Sequence, residues 1–444
     1  MNMSKFRSAS IASLSGSVKD FRAPKGNHLL ERVNGFFDWQ DERRSHGLWP
    51  YSRATVTGPR ATVMAQDDTG RVMTGVNFAS QDYLSLSGHP DIKATAIETA
   101  EKFGVHSAGS PALVGNSGLT LALERRIAEF IAMEHVVLYP TGWAAGYGAI
   151  RGLVRSADHI VIDSLAHACL QEGANAATRN IYMHRHLDVE HCRHWLRAIR
   201  GKDTENAILV VTEALFSMDS DTPDLAALQA ACHEFNATLL VDVAHDLGAL
   251  GPGGRGHIAT AGLLGQVDLV MGSFSKTFAS NGGFVASNSR AVKEYLKYYS
   301  PTTTFSNALS QVQAATVLKA FEIVDSAEGD TLREELMSNI LDLRTQLGGR
   351  GLAVYGDPSA IVAVKMGSEP LARLVSRRLH DAGLLANLVE YPAVGKGAAR
   401  FRMQVMAKHS RENIERSAET MARCRDEALR ELGEHDFALQ RQVA

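Results

Sequence analysis

Five polar features fall at the ends of apolar, strand-like runs or just after them: Thr141-Gly142-Trp143, His167, Ser217, Asp242 with His245, and Ser273 with Lys276. Each residue has a role if the ligand is a pyridine-aldehyde phosphate. Lys276 sits in an apolar, small-residue loop, where desolvation favours the neutral amine that can form an imine. Asp242 could keep a pyridine nitrogen protonated and make the ring an electron sink. His245 could reach a ring hydroxyl, and the imidazole of His167 could stack on the ring face. Gly142 and Trp143 open a helix whose N–H groups and positive end suit a phosphate, with Ser273 adding a hydroxyl.

The elements that must position these residues are legible as a pattern. Residues 135–139, 159–163, 207–214, 238–243 and 269–274 are short, β-rich and apolar on both sides, as buried parallel strands are. Amphipathic stretches lie between them. Residues 119–133 place Leu119, Leu123 and Ile127 on one face, and 223–235 open with Thr222 as N-cap and Pro223 at the first helical position. The alternation predicts an α/β fold with a mostly parallel, doubly wound sheet, whose ligands bind at the carboxyl ends of the strands. Beyond residue 300, helical periods at 331–347, 369–382 and 410–432 flank short strands near 360–364 and 401–405, a smaller α/β domain. The expected divisions are a flexible polar tail (1–27), an N-terminal docking arm (28–75), a large ligand-binding domain (76–310) and a small C-terminal α/β domain (311–444). The arm is rich in aromatics: Phe36, Phe37, Trp39, Trp49 and Tyr51.

Composition narrows the class. The 444 residues carry 46 Lys+Arg against 49 Asp+Glu, a net charge of −3 that argues against a nucleic-acid partner. No apolar run approaches the roughly 18–20 residues that cross a bilayer, and no secretory signal is visible. Cys169, Cys192, Cys232 and Cys424 form no CxxC pair, which suits free thiols in a reducing cytoplasm.

Three tempting motifs fail. Gly251-Pro-Gly-Gly-Arg-Gly256 has the letters of a dinucleotide fingerprint, but it lies far from the preceding strand end and opens no helix. Gly272-Ser-Phe-Ser-Lys276-Thr277 lacks the glycine and spacer of a phosphate-wrapping P-loop. His184, His186, His191, Cys192 and His194 match no closed zinc spacing and read as solvated side chains, so no metal is expected.

Several segments, in order, resemble the pyridoxal-phosphate (PLP)-dependent α-oxoamine synthases, the family of serine palmitoyltransferase, 8-amino-7-oxononanoate synthase and 2-amino-3-ketobutyrate CoA ligase. Asn77-Phe-Ala-Ser-Gln-Asp-Tyr-Leu84, Thr212-Glu-Ala-Leu-Phe-Ser-Met-Asp219, Val241-Asp-Val-Ala-His245, the lysine loop 272–283, and Ala399-Arg-Phe-Arg402 with Ala407-Lys-His409 carry the likeness. It runs nearly collinearly from about Gly47 to Glu419, and the lysine loop looks most like that of serine palmitoyltransferases.

The resemblance implies fold type I of the PLP-dependent transferases, with 76–310 as the PLP-binding domain. It implies a decarboxylative condensation of serine, glycine or alanine with an acyl thioester, on CoA or an acyl carrier protein, giving an α-amino ketone, CO2 and free thiol. Lys276 would be the Schiff-base lysine and acid/base, Asp242 the pyridine-nitrogen partner, His245 the ring-hydroxyl partner and His167 the stacking imidazole. Ser217, Ser273, Gly142 and Trp143 would hold the cofactor. Arg402 would take the amino-acid carboxylate, assisted by Asn77, as a bidentate guanidinium suits. Ser306 matches a stretch that reaches the neighbouring subunit's phosphate, implying a homodimer with shared sites, and Arg53 matches a segment near the thioester entrance. Val243, His106, Pro111 and Ala393 depart from the family pattern, the last three near the substrates, so substrate identity stays open. Two alternatives also stay open: another fold-type-I enzyme such as an aminotransferase, and a non-catalytic binding subunit on the same fold.

Overall fold

The computed structural model describes residues 9–443, so the first eight residues of the expected tail lie outside the described residues. The chain divides into two compact units. One takes the chain up to Ser80, Met218–Ser220 and everything from Met337; the other takes Gln81–Ser217 and Asp221–Leu336. The expected arm and the C-terminal region therefore fold together, a grouping that a linear reading of the chain does not contain.

The strands in chain order are β1 Ala54–Thr55, β2 Thr62–Gln66, β3 Val72–Phe78, β4 His135–Tyr139, β5 His159–Asp163, β6 Ile181–His184, β7 Ile208–Glu213, β8 Thr238–Asp242, β9 Leu269–Ser273, β10 Gly283–Ser287, β11 Ile361–Gly367, β12 Leu384–Val389 and β13 Ala399–Gln404. In the unit of Gln81–Leu336, seven of them form one sheet in the order β4-β10-β9-β8-β7-β5-β6. β5 to β9 pair in parallel, and β10 runs antiparallel to both β4 and β9. Every residue of β5, β7, β9 and β10 is buried, as expected for strands covered on both faces. Helices Gly142–Leu153 and Ala168–Ala177 pack on this sheet through Ala145, Ala149, Ile150, Leu170 and Ala174, meeting Val211, Leu240 and Met271.

Helix Leu225–Glu234 starts later than its sequence suggests. The cap is Asp224, whose carboxylate accepts from Ala227 N–H at 2.9 Å, so Pro223 precedes the helix instead of opening it. The glycine run at 251–256 does open a helix, the five-residue Gly256–Thr260, yet it serves a carboxylate of the chain itself. Asp246 accepts from His257 N–H at 2.7 Å, and a Cβ on Gly256 (φ +70°) would lie 2.6 Å from an Asp246 oxygen.

The histidine cluster is solvated only in part: His194 is exposed, but two others are not free side chains. His184 is buried, and His186 is clamped between Asp163 (2.9 Å) and Asp221 (3.1 Å). These partners exist because β5 and β6 are parallel neighbours that bring Asp163 opposite His184. Among the described residues, no group of three or more His, Cys, Asp or Glu could hold a metal ion, and no helix is long and apolar enough to cross a membrane.

In the other unit, β1-β2-β3-β12-β13-β11 form a six-stranded sheet that is antiparallel except at β3–β12. Part of the stretch read as a tail is built into this unit. Ser10 caps the turn Ile11–Leu14, and Arg373 donates to Leu14 O and to Gly16 O, the latter at 2.6 Å. The arm's aromatics pack on one another: Trp49 lies edge-on to Trp39 (5.9 Å) and Tyr51 (5.0 Å), and the Arg43 guanidinium sits 4.8 Å over the Trp39 ring.

Candidate active site

At the carboxyl edge of the seven-stranded sheet lies a cavity of about 260 Å³ lined by Thr141, Gly142, Trp143, His167, Cys169, Glu213, Asp242, His245, Ser273, Ser275, Lys276 and Asn281, among others. Eight residues singled out from the sequence meet here: Thr141, Gly142, Trp143, His167, Asp242, His245, Ser273 and Lys276. They converge because β4, β5, β8 and β9 end at the same edge, each handing its last residue or next loop to the rim. A larger cavity of about 480 Å³ opens at the amino ends of the strands, beside Ala207, Thr238 and Leu269. Its acids are engaged: Asp268 accepts from Leu239 N–H, and Asp158 from Arg155 and Ala207. No lysine, histidine or cysteine lines it.

The anion-binding end of the cavity is built by close approach. Thr141 caps helix Gly142–Leu153, accepting from Ala144 N–H at 3.0 Å. A Cβ on Gly142 would stand 2.3 Å from Ser273 Cβ, so only glycine lets the helix N-terminus reach the end of β9. The Ser273 hydroxyl lies 2.8 Å from that of Ser275, and Trp143 stacks on Tyr147 at 5.2 Å.

Asp242 is 6% exposed and accepts from Ala244 N–H at 2.8 Å. Burial pushes its carboxyl above the usual range, while Lys276 and His167 pull it down. His167 is the N-cap of Ala168–Ala177, and its Nδ1 accepts from Cys169 N–H at 3.3 Å, which places any single ring proton on Nε2. His245 Nδ1 is 2.9 Å from the hydroxyl of Tyr83, a fully buried side chain. The turn carrying Tyr83 is held by Asp82, which accepts from Leu86 and Ser87 N–H and is pushed up to about 6 by burial. The lysine loop closes on itself, with Phe274 N–H bonded to Gly282 O at 2.9 Å and Ser280 N–H to Phe274 O at 3.2 Å.

The remaining candidates lie elsewhere. Ser217 is buried in the loop after β7 and does not line the cavity, and neither does Ser306, half-buried beside exposed Phe305. Asn77, Arg402 and Arg53 belong to the other unit. The Asn77 side chain is committed to its own turn, donating to Arg60 O (3.0 Å) and Ser80 Oγ (2.8 Å) and accepting from Ala79 N–H (3.0 Å). Arg402 lies in β13 opposite Ala363 and Asn387. Arg53 is half-buried, and burial together with Arg71 lowers its basicity.

Three lining or supporting residues escaped the sequence reading. Glu213 and Cys169 line the cavity, and Tyr83 orients His245. Glu213 could have been found as the one acid closing an otherwise apolar run, and Tyr83 stood inside the 77–84 motif without a role.

The family model described as Aminotransferase class I and II matches residues 74–421. An 8-amino-7-oxononanoate synthase of Geotalea daltonii is 34% identical over 345 residues, covering 78% of this chain and 87% of that protein. A serine palmitoyltransferase of Sphingobacterium spiritivorum is 32% identical over 395 residues, covering 89% and 96%. Among solved structures, the serine palmitoyltransferase of S. paucimobilis with bound PLP–myriocin aldimine superposes with a TM-score of 0.83 at 27% identity, covering 90% of this chain and 99% of that one.

Proposed function

Because the chain belongs to the aminotransferase class I and II family and, within it, to the α-oxoamine synthases, we propose that it is a PLP-dependent C-acyltransferase. It condenses a small amino acid with an acyl thioester and releases CO2 and free thiol to leave an α-amino ketone. One observation carries this reading: Lys276, Asp242, His167 and His245 line the same cavity as the glycine-opened N-terminus of helix Gly142–Leu153.

These residues fit the cofactor. The helix N-terminus at Gly142, which lines the cavity, and the Ser273 hydroxyl suit its phosphate, and the buried Asp242 suits a ring nitrogen that must keep its proton. His245, oriented by Tyr83, suits the ring hydroxyl, and His167 covers a ring face. When bound, PLP supplies an electron sink for the charge left at the amino acid's Cα. Lys276 Nζ anchors the cofactor and then takes the Cα proton. The electron pair released at Cα forms the new C–C bond to the thioester carbonyl, and the C–S bond breaks to release the thiolate, which takes a proton from water. The amino-acid carboxylate departs as CO2, and the electron pair it leaves at Cα takes back the proton held by Lys276. Arg402 is assigned the amino-acid carboxylate, and Arg53 the thioester entrance, on their motifs.

The substrates are serine, glycine or alanine with an acyl-CoA or acyl carrier protein donor. The protein acts as a homodimer, a reading supported by an apolar surface that one copy leaves uncovered. Ser107 Oγ donates to Ala308 O and Ser110 Oγ to Thr304 O, both at 2.7 Å, knitting two loops that expose Val105, Leu113, Val114 and Phe305. A cytoplasmic location is supported by four free, buried cysteines.

The test is a panel of glycine, alanine and serine against short and long acyl-CoA and acyl-carrier donors, reading free thiol and CO2. Equal release of both with one pairing is expected. Transamination without thiol release, or full PLP loading with no turnover on any pairing, would overturn the assignment.

A further inference from the structure

Two carboxyl groups, not one, face the cavity. Glu213 and Asp242 are register partners on the adjacent parallel strands β7 and β8, and both line it. Neighbouring strands lie about 4.8 Å apart, so side chains leaving one face at the same register stand side by side. Glu213 is 3% exposed and Asp242 6%, leaving little water to screen two like charges. A carboxyl pair at such spacing in a dry site retains one proton between its members.

Their surroundings break the symmetry. Asp242, on β8, is acted on by two cationic or cationisable neighbours, Lys276 in the loop after β9 and His167 at the start of Ala168–Ala177. Glu213 is acted on by Lys276 less strongly than by Asp242, and it also meets a second acid, Asp163 from β5. Cys169, from the helix after β5, is a buried neutral thiol, raised by burial and by both carboxyls. Asp163 is already held by His186 and by the N–H groups of Leu165 and Leu187. The backbone N–H of His167 works the other way, favouring the charged form of Glu213, but burial and the charge of Asp242 outweigh it.

We propose that Glu213 is a further positioning residue of this site: it stays an uncharged acid at the shoulder of Asp242, leaving Asp242 as the only carboxylate offered to the ring nitrogen. Burial, and then the charge of Asp242, displace Glu213 well above the usual carboxyl range, in the direction this requires. The arrangement gives the cofactor's ring one negative partner. This inference rests on the PLP reading.

Glu213→Gln reproduces the neutral, polar side chain beside Asp242, whereas Glu213→Ala removes it. Full-length wild type and the two variants are titrated with PLP, and the visible cofactor band is followed against pH. Glu213→Ala should bind PLP about tenfold more weakly, the loss of a buried side chain packed beside Asp242. Glu213→Gln should restore affinity to within about threefold of wild type and leave the pH midpoint of the band in place. A midpoint that falls by about one unit in Glu213→Gln would mean that a negative charge beside Lys276 had been removed, and would overturn the proposal. Unchanged affinity in Glu213→Ala would overturn it as well. Infrared spectra of the cofactor-free proteins at pH 7 separate this inference from the PLP reading. A protonated-carboxyl C=O stretch present in wild type and missing in Glu213→Gln supports a neutral Glu213 even if no visible band ever forms, in which case the PLP reading alone fails. No infrared difference overturns the proposal.

Discussion

Each unit buries a cluster of charge, and the two clusters are built differently. In the unit that holds both ends of the chain, Glu390 stands 2.7 Å from Arg373 Nε and 3.5 Å from Arg43 Nη1, and Tyr51 OH reaches it at 3.4 Å. The second arginine's surplus charge is spread over carbonyls, Leu48 O for Arg43 and Leu14 O and Gly16 O for Arg373. In the seven-stranded unit, Asp242 and Glu213 are like groups side by side at the wall of a cavity, with Lys276 as the facing cation. In the first cluster opposite charges meet, and Glu390, just after β12, ties the arm to helix Glu369–Asp381. In the second, like groups meet at a cavity wall. Burial of charge alone therefore does not mark a site; buried like charges lining a cavity do.

The largest expected effect lies in the cavity cluster. Lys276→Ala should abolish the visible cofactor band and lower turnover by about 10⁴-fold or more, measured by thiol release, with little change in urea unfolding. Next comes the Glu390 cluster. Glu390→Ala leaves two buried arginines without their carboxylate and should cost about 3–5 kcal/mol in urea unfolding, while PLP affinity of the folded protein holds. A loss of PLP affinity there without a loss of stability would break the comparison.

The His186 clamp should show a smaller effect, confined to pH. Burial works against its charge, but the hydrogen bonds and charges of Asp163 and Asp221 prevail and raise it to about 10. A folded pKa above the unfolded value, about 6.5, means that the clamp's contribution is full below pH 6.5 and is lost as pH rises towards 10. Stability of wild type relative to His186→Gln should therefore decline across that window, read by denaturant midpoints at fixed ionic strength; a flat difference would show that the clamp is not cationic. The smallest effect belongs to Tyr83→Phe, which removes one buried partner of His245 and should weaken PLP binding by roughly fivefold, about 1 kcal/mol.

Much of the cavity wall was legible in the sequence because buried parallel strands are short apolar runs that end in polar residues, and β4, β5, β8 and β9 do so at Tyr139, Asp163, Asp242 and Ser273. β10 was hidden because Gly283–Ser287 begins at the last glycine of the lysine motif and reads as its continuation; its antiparallel pairing between β4 and β9 depends on contacts far apart in sequence. Glu213 read as an interruption of an apolar run, since its meaning comes from the register with Asp242. His186 read as solvated because its partners, Asp163 and Asp221, lie 23 and 35 residues away. Local pattern exposes what one strand does; a partner across the sheet is visible only once register is fixed.

The central claim is that the cavity beside Asp242 is the PLP site and that Lys276 anchors the cofactor there. Borohydride reduction of the PLP-loaded protein followed by peptide mass analysis tests it most directly. A single pyridoxyl label on Lys276, absent from Lys276→Ala, is the predicted result. A label on another lysine in wild type, or no label on a protein that has taken up PLP, would contradict it.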